Sequence, residues 1–441
     1  MGNEKSFPVV SFFQFVKRGL EILKNPLPFH HDNFEKKGDT FLLSIGIQNK
    51  ILFSRNPELL NYVLRTNQKN YTKSEVQTVQ VAKYIGKGLL TSEGEFWRTQ
   101  RRLLQPTFHK KHIANLLQIM QEVIEEEVSK ITINKTFSIE PFFGKLAFKV
   151  VAKSLFSGEI DETAVEQLQH LIETSQKMLV SELRQPYLKW WYFITGKSSK
   201  NEKLVEDARA LLANLIQQRR ASKIKKDDLL DLLLNAKYED GSGMAEKQMI
   251  DEIMILLVAG HETTANALTF TCQLLAKNPK YQNSIKDENE ALEHLDLMSI
   301  LQKQKVTKNV LEESMRLYPP AYFIDRKNIK KDEFDEFYIA SKTPLLFSII
   351  EIHRHKEYWD KAEHFLPERF ADSANKYSDI YFPFGAGPRM CIGNNFAMYE
   401  MQLIVKELFK KYVIKPLDTA IEIEPLITLK PKNAFLVFEK R

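Results

Sequence analysis

Apolar positions recur at helical spacing from about residue 57 to 315, with few strand-like alternations, and predict a long helical body. Ahead of it, Phe41-Leu42-Leu43-Ser44-Ile45 and Lys50-Ile51-Leu52-Phe53-Ser54 read as a hairpin turning at Gln48-Asn49. Strands are expected again at Phe337-Tyr338-Ile339, from Pro344 to Ile350, at Leu426-Ile427-Thr428-Leu429 and at Phe435-Leu436-Val437-Phe438. Between Ile350 and Leu426, Asn394 to Tyr412 carries Phe396, Ala397, Leu403, Ile404 and Leu408 at helix-like intervals. Pro8 to Leu23 is rich in Phe and Val but broken by Gln14, Lys17, Arg18 and Glu21, and predicts an amphipathic first helix packed on the body. The fold class is therefore mainly α with a small β-sheet region. No low-complexity tract, repeat or Ser/Gly/Pro-rich linker interrupts the chain, so residues 1–441 are read as one domain without a fused reductase.

Composition narrows the function classes. Hydrophobic content of 43% with 11% aromatic residues is that of a globular chain able to bury a large core. The balance of 63 Lys plus Arg against 57 Asp plus Glu leaves +6, too mild to point to nucleic acid. Lys223-Ile224-Lys225-Lys226, followed by Asp227-Asp228, reads as a solvated loop. The longest wholly apolar runs, such as Ile253 to Gly260, reach about eight residues against the ~20 needed to span a bilayer, so no transmembrane anchor is expected. Met1-Gly2-Asn3-Glu4-Lys5-Ser6 fits a myristoylation pattern, a short match attributed to chance. Two cysteines cannot build a disulfide framework and fit a reducing, cytoplasmic setting.

One of those cysteines carries the chemistry. In Phe384-Gly385-Ala386-Gly387-Pro388-Arg389-Met390-Cys391-Ile392-Gly393, a thiol stands in a glycine-rich loop with an arginine two residues before it. A helix start follows, whose dipole and open N–H groups stabilise a thiolate. Glycines let backbone or a flat ligand come close. A buried cysteine behind a glycine turn is the plainer alternative. Cys272, in an apolar helical run, reads as structural. Trp97 and Arg101 share a helical face and can each hold a carboxylate. Glu313 and Arg316 also share one, as either a surface pair or a buried one. Glu262 and Thr263 interrupt an apolar run just after Gly260, as proton-handling groups or as a polar helix side.

The Phe384–Gly393 loop closely resembles the haem-binding loop of the cytochrome P450 monooxygenases. The resemblance extends to Glu313-x-x-Arg316, to Pro367-Glu368-Arg369-Phe370, to Ala259-Gly260-His261-Glu262-Thr263-Thr264 and to Trp97-x-x-x-Arg101, in the family's order. It implies the single-domain P450 fold and haem b (iron protoporphyrin IX), with Cys391 as the metal ligand. Phe384 would shield the sulfur and Gly393 would let the next helix pass the porphyrin. Trp97, Arg101, Arg326 and Arg389 would hold the propionates, with His109 a further possibility. Glu313, Arg316 and Arg369 would form a buried structural network. Gly260 would leave room for O2, and Glu262 with Thr263 would deliver protons. Ser341-Lys342-Thr343 departs from the family pattern, which often has glycine before the threonine.

The resemblance implies insertion of one oxygen atom from O2 into a C–H or double bond, with two electrons and two protons. No nucleotide-binding fingerprint is present. A separate ferredoxin- or flavodoxin-type donor is therefore expected, steered by Arg98, Arg102, Lys110 and Lys111. A peroxide-driven peroxygenase or an isomerase of the same fold tends to lose the acid–alcohol pair. A non-enzymatic haem-thiolate sensor would have no use for it. Ala259, Ala321, Tyr322, Phe323 and Leu426 are the expected pocket residues, with the segment from Val76 to Leu90. Their apolar character implies a hydrophobic small molecule such as a fatty acid, terpene or polyketide.

Overall fold

The computed structural model describes residues 6–46, 49–157, 160–222, 225–371, 376–417 and 419–441, which fall into two compact units. The first comprises Met1–Ser74, Glu312–Cys391 and Ile423–Lys430. Its six-stranded sheet runs in the order Val9–Val10, Thr40–Ser44, Lys50–Ser54, Pro344–Ser348, Phe323–Asn328, Tyr71–Thr72. The predicted hairpin is there, antiparallel with Leu42 opposite Leu52, while Ile47 and Gln48 at its tip lie outside the described residues. Alternation buries Phe41 and Leu43, and with Phe29, Phe34 and Phe53 they form one core. A second core joins Leu52, Leu345 and Phe347 to Leu60, Val63 and Leu64 and reaches Phe382 and Ala386, at the start of the cysteine loop.

Three expectations for this unit are corrected. The strand from Pro344 stops at Ser348, and Ile349–Ile352 is helical. Ser348, Ile349 and Ile350 are all buried, and a continuous buried run has no period to separate strand from helix. Near the C-terminus the strand is Leu429–Lys432, with Leu426–Thr428 forming the turn before it. Pro8–Leu23 is a short strand, Val9–Val10, followed by two helices, Phe12–Lys17 and Gly19–Lys24. Ser11 and Gln14 make a capping box at the first, and Arg18, held by Glu21 and Asp32, separates the two. Phe15 and Ile22 pack inward, but Phe13 and Leu20 stay 83% and 82% exposed. Lys342 sits at φ +62°, the backbone that glycine adopts freely and that costs another residue about 1 kcal/mol.

The second unit comprises Glu75–Leu311, Ile392–Glu422 and Pro431–Arg441 and holds most of the long helices. The longest, Glu246–Lys277, has 32 residues and packs against Ile139–Phe156. It is apolar and long enough to cross a membrane, yet 67% of that stretch is buried inside the protein, as in a core helix. Tyr412–Pro416, Phe435–Lys440 and Thr136–Ser138 form an antiparallel three-stranded sheet, as the C-terminal strand expectation required. Of the expected solvated loop, Lys225 and Lys226 are exposed, as is Asp227, while Lys223 and Ile224 lie outside the described residues. Asp228 is fully buried, caps the Leu229–Asn235 helix and takes two bonds of 2.7 Å from Arg219.

Candidate functional site

In the first unit the cysteine loop is a chain of tight turns. Gly385 and Gly387 stand at φ +71° and +68°, and a short turn follows at Gly387–Arg389. A Cβ on Gly387 would lie 2.0 Å from the Leu64 carbonyl oxygen, so only glycine fits there. The Cys391 N–H donates to the Phe384 carbonyl at 2.9 Å, closing the loop on itself. Cys391 is exposed, whereas Cys272 is fully buried and burial pushes its thiol pKa up. Phe384 and Arg389 are half-buried. Gly385 faces Ile324 on the strand that also carries the buried Arg326, whose guanidinium donates to the Asp325 carbonyl. Nearby in sequence, Tyr322 is buried and its hydroxyl donates to the Leu426 carbonyl at 2.6 Å, so the loop of Leu426 is fixed to the segment holding Ala321 and Phe323.

Behind that loop lies the charged network. Glu313 accepts from Arg316 Nε and Nη2 at 2.7 and 2.9 Å, from Arg369 Nε at 3.0 Å and from the Leu366 N–H at 2.9 Å. Arg316 also donates to the carbonyls of His353, Ala362 and His364 and lies over the Trp359 ring. Glu313 and Arg316 have no exposed surface, which decides against a solvated pair. His353 extends the network to the cysteine loop, because its Nε2 accepts from the Phe382 N–H at 2.8 Å. Burial lowers the His353 pKa to about 3, so the ring is neutral and able to accept. Sequence reasoning missed His353, since a single histidine among buried apolar residues has no spacing signal.

In the second unit, Trp97 and Arg101 share the face of Gly94–Leu104 that the spacing predicts, Trp97 buried and Arg101 half-buried. His109 is exposed and caps the next helix through its carbonyl, not through its ring. On Glu246–Lys277, Ala259 is exposed and Leu256, Gly260 and Thr263 are half-buried, an accessible stripe in the middle of a buried helix. The Thr263 hydroxyl donates to the Ala259 carbonyl at 2.7 Å. Thr269 and Thr271 make the same bond to the residue four before them, so it is accessibility, not the back-bond, that distinguishes Thr263. A Cβ on Gly260 would meet Val151 at 3.2 Å, and Glu262 is half-buried.

The predicted pocket segment is anchored to the same helix. Asp251 accepts from the Lys87 N–H and Glu252 from the Leu89 N–H, each at 3.0 Å, and Arg209 clasps Asp251. A Cβ on Gly86 would sit 2.1 Å from Asp251, which explains a glycine at φ +84°. Val81, Ile85, Leu179, Leu183, Val205 and Val258 form an apolar group beside Ala259. After the cysteine, Asn394–Lys411 starts without a side-chain cap at Gly393, where a Cβ would meet no protein atom closer than 4.0 Å. That helix holds Glu400, fully buried with neither oxygen paired among the described residues, and burial pushes its pKa well above the usual carboxylate range. Of the expected docking cations, Arg98 pairs with Glu95 and Arg102 with Glu239.

A sequence model described as Cytochrome P450 matches residues 4–438. The chain belongs to the cytochrome P450 family. It is 29% identical over 405 residues to cyclooctat-9-en-7-ol 5-monooxygenase of Streptomyces melanosporofaciens, covering 91% of this chain and 86% of that protein. To echinocystic acid 23-monooxygenase of Saponaria officinalis it is 28% identical over 456 residues, covering 94% and 87%. The crystal structure of the cytochrome P450DA heme domain superposes with a TM-score of 0.87 at 20% identity, covering 99% of this chain and 98% of that one, and shows the P450 fold. This P450 is a haem-thiolate monooxygenase whose cofactor is haem b. Within the first unit the residues fit that group: an exposed thiol on a glycine-formed loop, with the guanidinium groups of Arg326 and Arg389 on the same unit for carboxylates.

Proposed function

We propose that this P450 uses Cys391 as its iron ligand to oxygenate a hydrophobic small molecule, with electrons from a separate protein donor. The carrying observation is that Cys391 is exposed on its loop while Cys272 is buried. When bound, the haem supplies the activation of O2. Cys391 would hold the iron as a thiolate, and Phe384 would cover the sulfur. Arg326, Arg389, Arg101 and the Trp97 indole would hold the propionates through charge-assisted bonds. Glu313, Arg316, Arg369 and His353 are positioning residues that keep the cysteine loop in shape.

On the long helix of the second unit, Gly260 would leave room for O2 next to Ala259. The Thr263 hydroxyl donates a hydrogen bond to the Ala259 carbonyl, so its oxygen remains an acceptor that would orient a water. Glu262, one residue away, would take up a proton from solvent and pass it on through that water. The apolar group around Val258 and Leu179 supports a hydrophobic substrate, with Tyr322 and Leu426 shaping the other contributing segment. The printed names of the relatives, which specify single carbon positions, support hydroxylation at one site. A small acidic ferredoxin or flavodoxin fits the exposed cations Lys110 and Lys111. The scarcity of cysteine fits a cytoplasmic setting.

The test is the reduced carbon monoxide difference spectrum. A strongly red-shifted Soret band is expected in the wild type and in Cys272→Ser, and is lost in Cys391→Ser. An unaltered band in Cys391→Ser removes Cys391 as the ligand. Turnover with O2 and a surrogate reductase, against peroxide alone, separates the monooxygenase reaction from a peroxygenase reaction.

A further inference from the structure

The first unit holds two buried hydrogen-bonding side chains for which the described residues supply no partner, and both face the same patch of its sheet. His30, on the helix Leu27–Lys37, is 6% exposed, and Ser348, at the end of the strand Pro344–Ser348, is fully buried. Among the described residues the His30 Nδ1 and the Ser348 hydroxyl make no hydrogen bond, and the His30 Nε2 makes none either. Buried polar groups are ordinarily paired. Ser54, on the neighbouring strand, bonds Thr40 and the Asp39 carbonyl, whereas Ser348 precedes the helix Ile349–Ile352 without capping it.

Strand register brings the two together. Phe53 stands opposite Leu346 and Phe323 opposite Ser348, on the strands that flank Pro344–Ser348 to either side. Residues two apart on a strand share a face, so Phe53, Leu346, Ser348 and Phe323 point to one side of the sheet. The His30 ring lies 4.8 Å from the Phe53 ring and edge-on to that of Phe323 at 5.3 Å, between centroids. It therefore bridges the two flanking strands and lies over the strand of Ser348. The patch is not sealed, because Leu346 and Phe323 are only half-buried.

We propose that His30 and Ser348 form a subsite for a neutral oxygen function, a hydroxyl or a carbonyl, on the hydrophobic substrate. This rests on the reading that the segment of Ala321, Tyr322 and Phe323 borders that substrate. Burial among aromatic rings lowers the His30 pKa to about 3, so the imidazole is neutral and brings no charge to hold a carboxylate. A neutral ring has one N–H and one acceptor nitrogen, and a serine hydroxyl can donate or accept. Together they satisfy a hydroxyl, or donate twice to a carbonyl. A purely apolar molecule of the same shape leaves both groups unpaired and dry, a penalty that a matching oxygen removes. The subsite thus selects a molecule that already carries one oxygen and fixes which end of it lies against Phe323.

Probes matched in shape but differing in that one group decide the matter: 1-decanol against 1-fluorodecane, and menthol against menthane. Each is equilibrated with the full-length holoprotein, and binding is read as loss of the probe from the headspace. His30→Leu/Ser348→Ala should lower the preference for the alcohol of each pair about tenfold or more, and Ser348→Ala alone should lower it less. Without any probe the double variant should melt at a higher temperature than the wild type, since two orphaned polar groups are gone. An unchanged preference overturns the proposal. So does a lowered melting temperature, which marks the two groups as partners of a structural water. Phe323→Ala tells this failure from that of the pocket reading. If it weakens both members of each pair while the double variant leaves the preference unchanged, the subsite alone falls. If it weakens neither, or no probe binds, both fall together.

Discussion

Glu313→Gln tests the claim that the buried network holds the cysteine loop in place. Among the described residues Glu313 is the carboxylate shared by Arg316 and Arg369, and it takes four hydrogen bonds at 2.7 to 3.0 Å. Glutamine keeps the volume and one acceptor oxygen, but turns an NH2 group toward a guanidinium and removes the negative charge that both arginines face. Losing one partner of a buried pair costs ~3–5 kcal/mol. Arg316 retains three carbonyl acceptors, which places the expected loss at the lower end, about 3 kcal/mol or roughly a hundredfold in the folding equilibrium. Urea unfolding of the holoprotein, read by far-UV circular dichroism and by the Soret band, measures it. Turnover per bound haem should be unchanged, since Glu313 acts through the loop. Glu313→Gln/Arg369→Met removes one of the unbalanced cations as well. Its loss should fall short of the summed single losses by about 1–3 kcal/mol. A loss below about 1 kcal/mol for Glu313→Gln, or additive losses, refutes the reasoning.

Thr263→Ala should leave substrate and haem binding intact while diverting electrons to hydrogen peroxide, measured as peroxide formed per electron consumed. Fully coupled turnover removes Thr263 from the proton path. Gly387→Ala and Gly385→Ala share a left-handed backbone, but the new Cβ meets the Leu64 carbonyl at 2.0 Å in the first and only Ile324 at 3.9 Å in the second. Thermal unfolding should therefore show about 1 kcal/mol lost in Gly385→Ala and clearly more in Gly387→Ala, with haem loss in the latter. Equal losses would contradict the close approach. His353, with its pKa lowered to about 3 by burial against an ordinary value of 6.5, binds its proton more readily in the unfolded chain. Its contribution is complete above pH 6.5 and declines as pH falls toward 3, because protonation also removes the acceptor for Phe382. His353→Gln keeps an acceptor without titrating, so its stability should fall less steeply between pH 6 and about 4. An identical slope excludes His353 as a source of acid sensitivity.

What the sequence determined by itself is local. The hairpin at Thr40–Ser54, the 32-residue helix and the shared faces of Trp97 with Arg101 and of Glu313 with Arg316 follow from period and spacing. The cysteine loop was legible because its glycines and its resemblance coincide at one place in the chain. Tertiary structure decided what spacing cannot express. Burial turned Glu313–Arg316 from a possible surface pair into the centre of a network that recruits Arg369 and carbonyls from three separate residues. It also ended the Pro344 strand at Ser348, where a wholly buried run has no period. His353 and the carboxylates of Asp251 and Glu252 take their roles from backbone N–H groups far away in the chain. A side chain's chemistry is written in the sequence, but its solvent, its partners and hence its energy are set by what the fold brings against it.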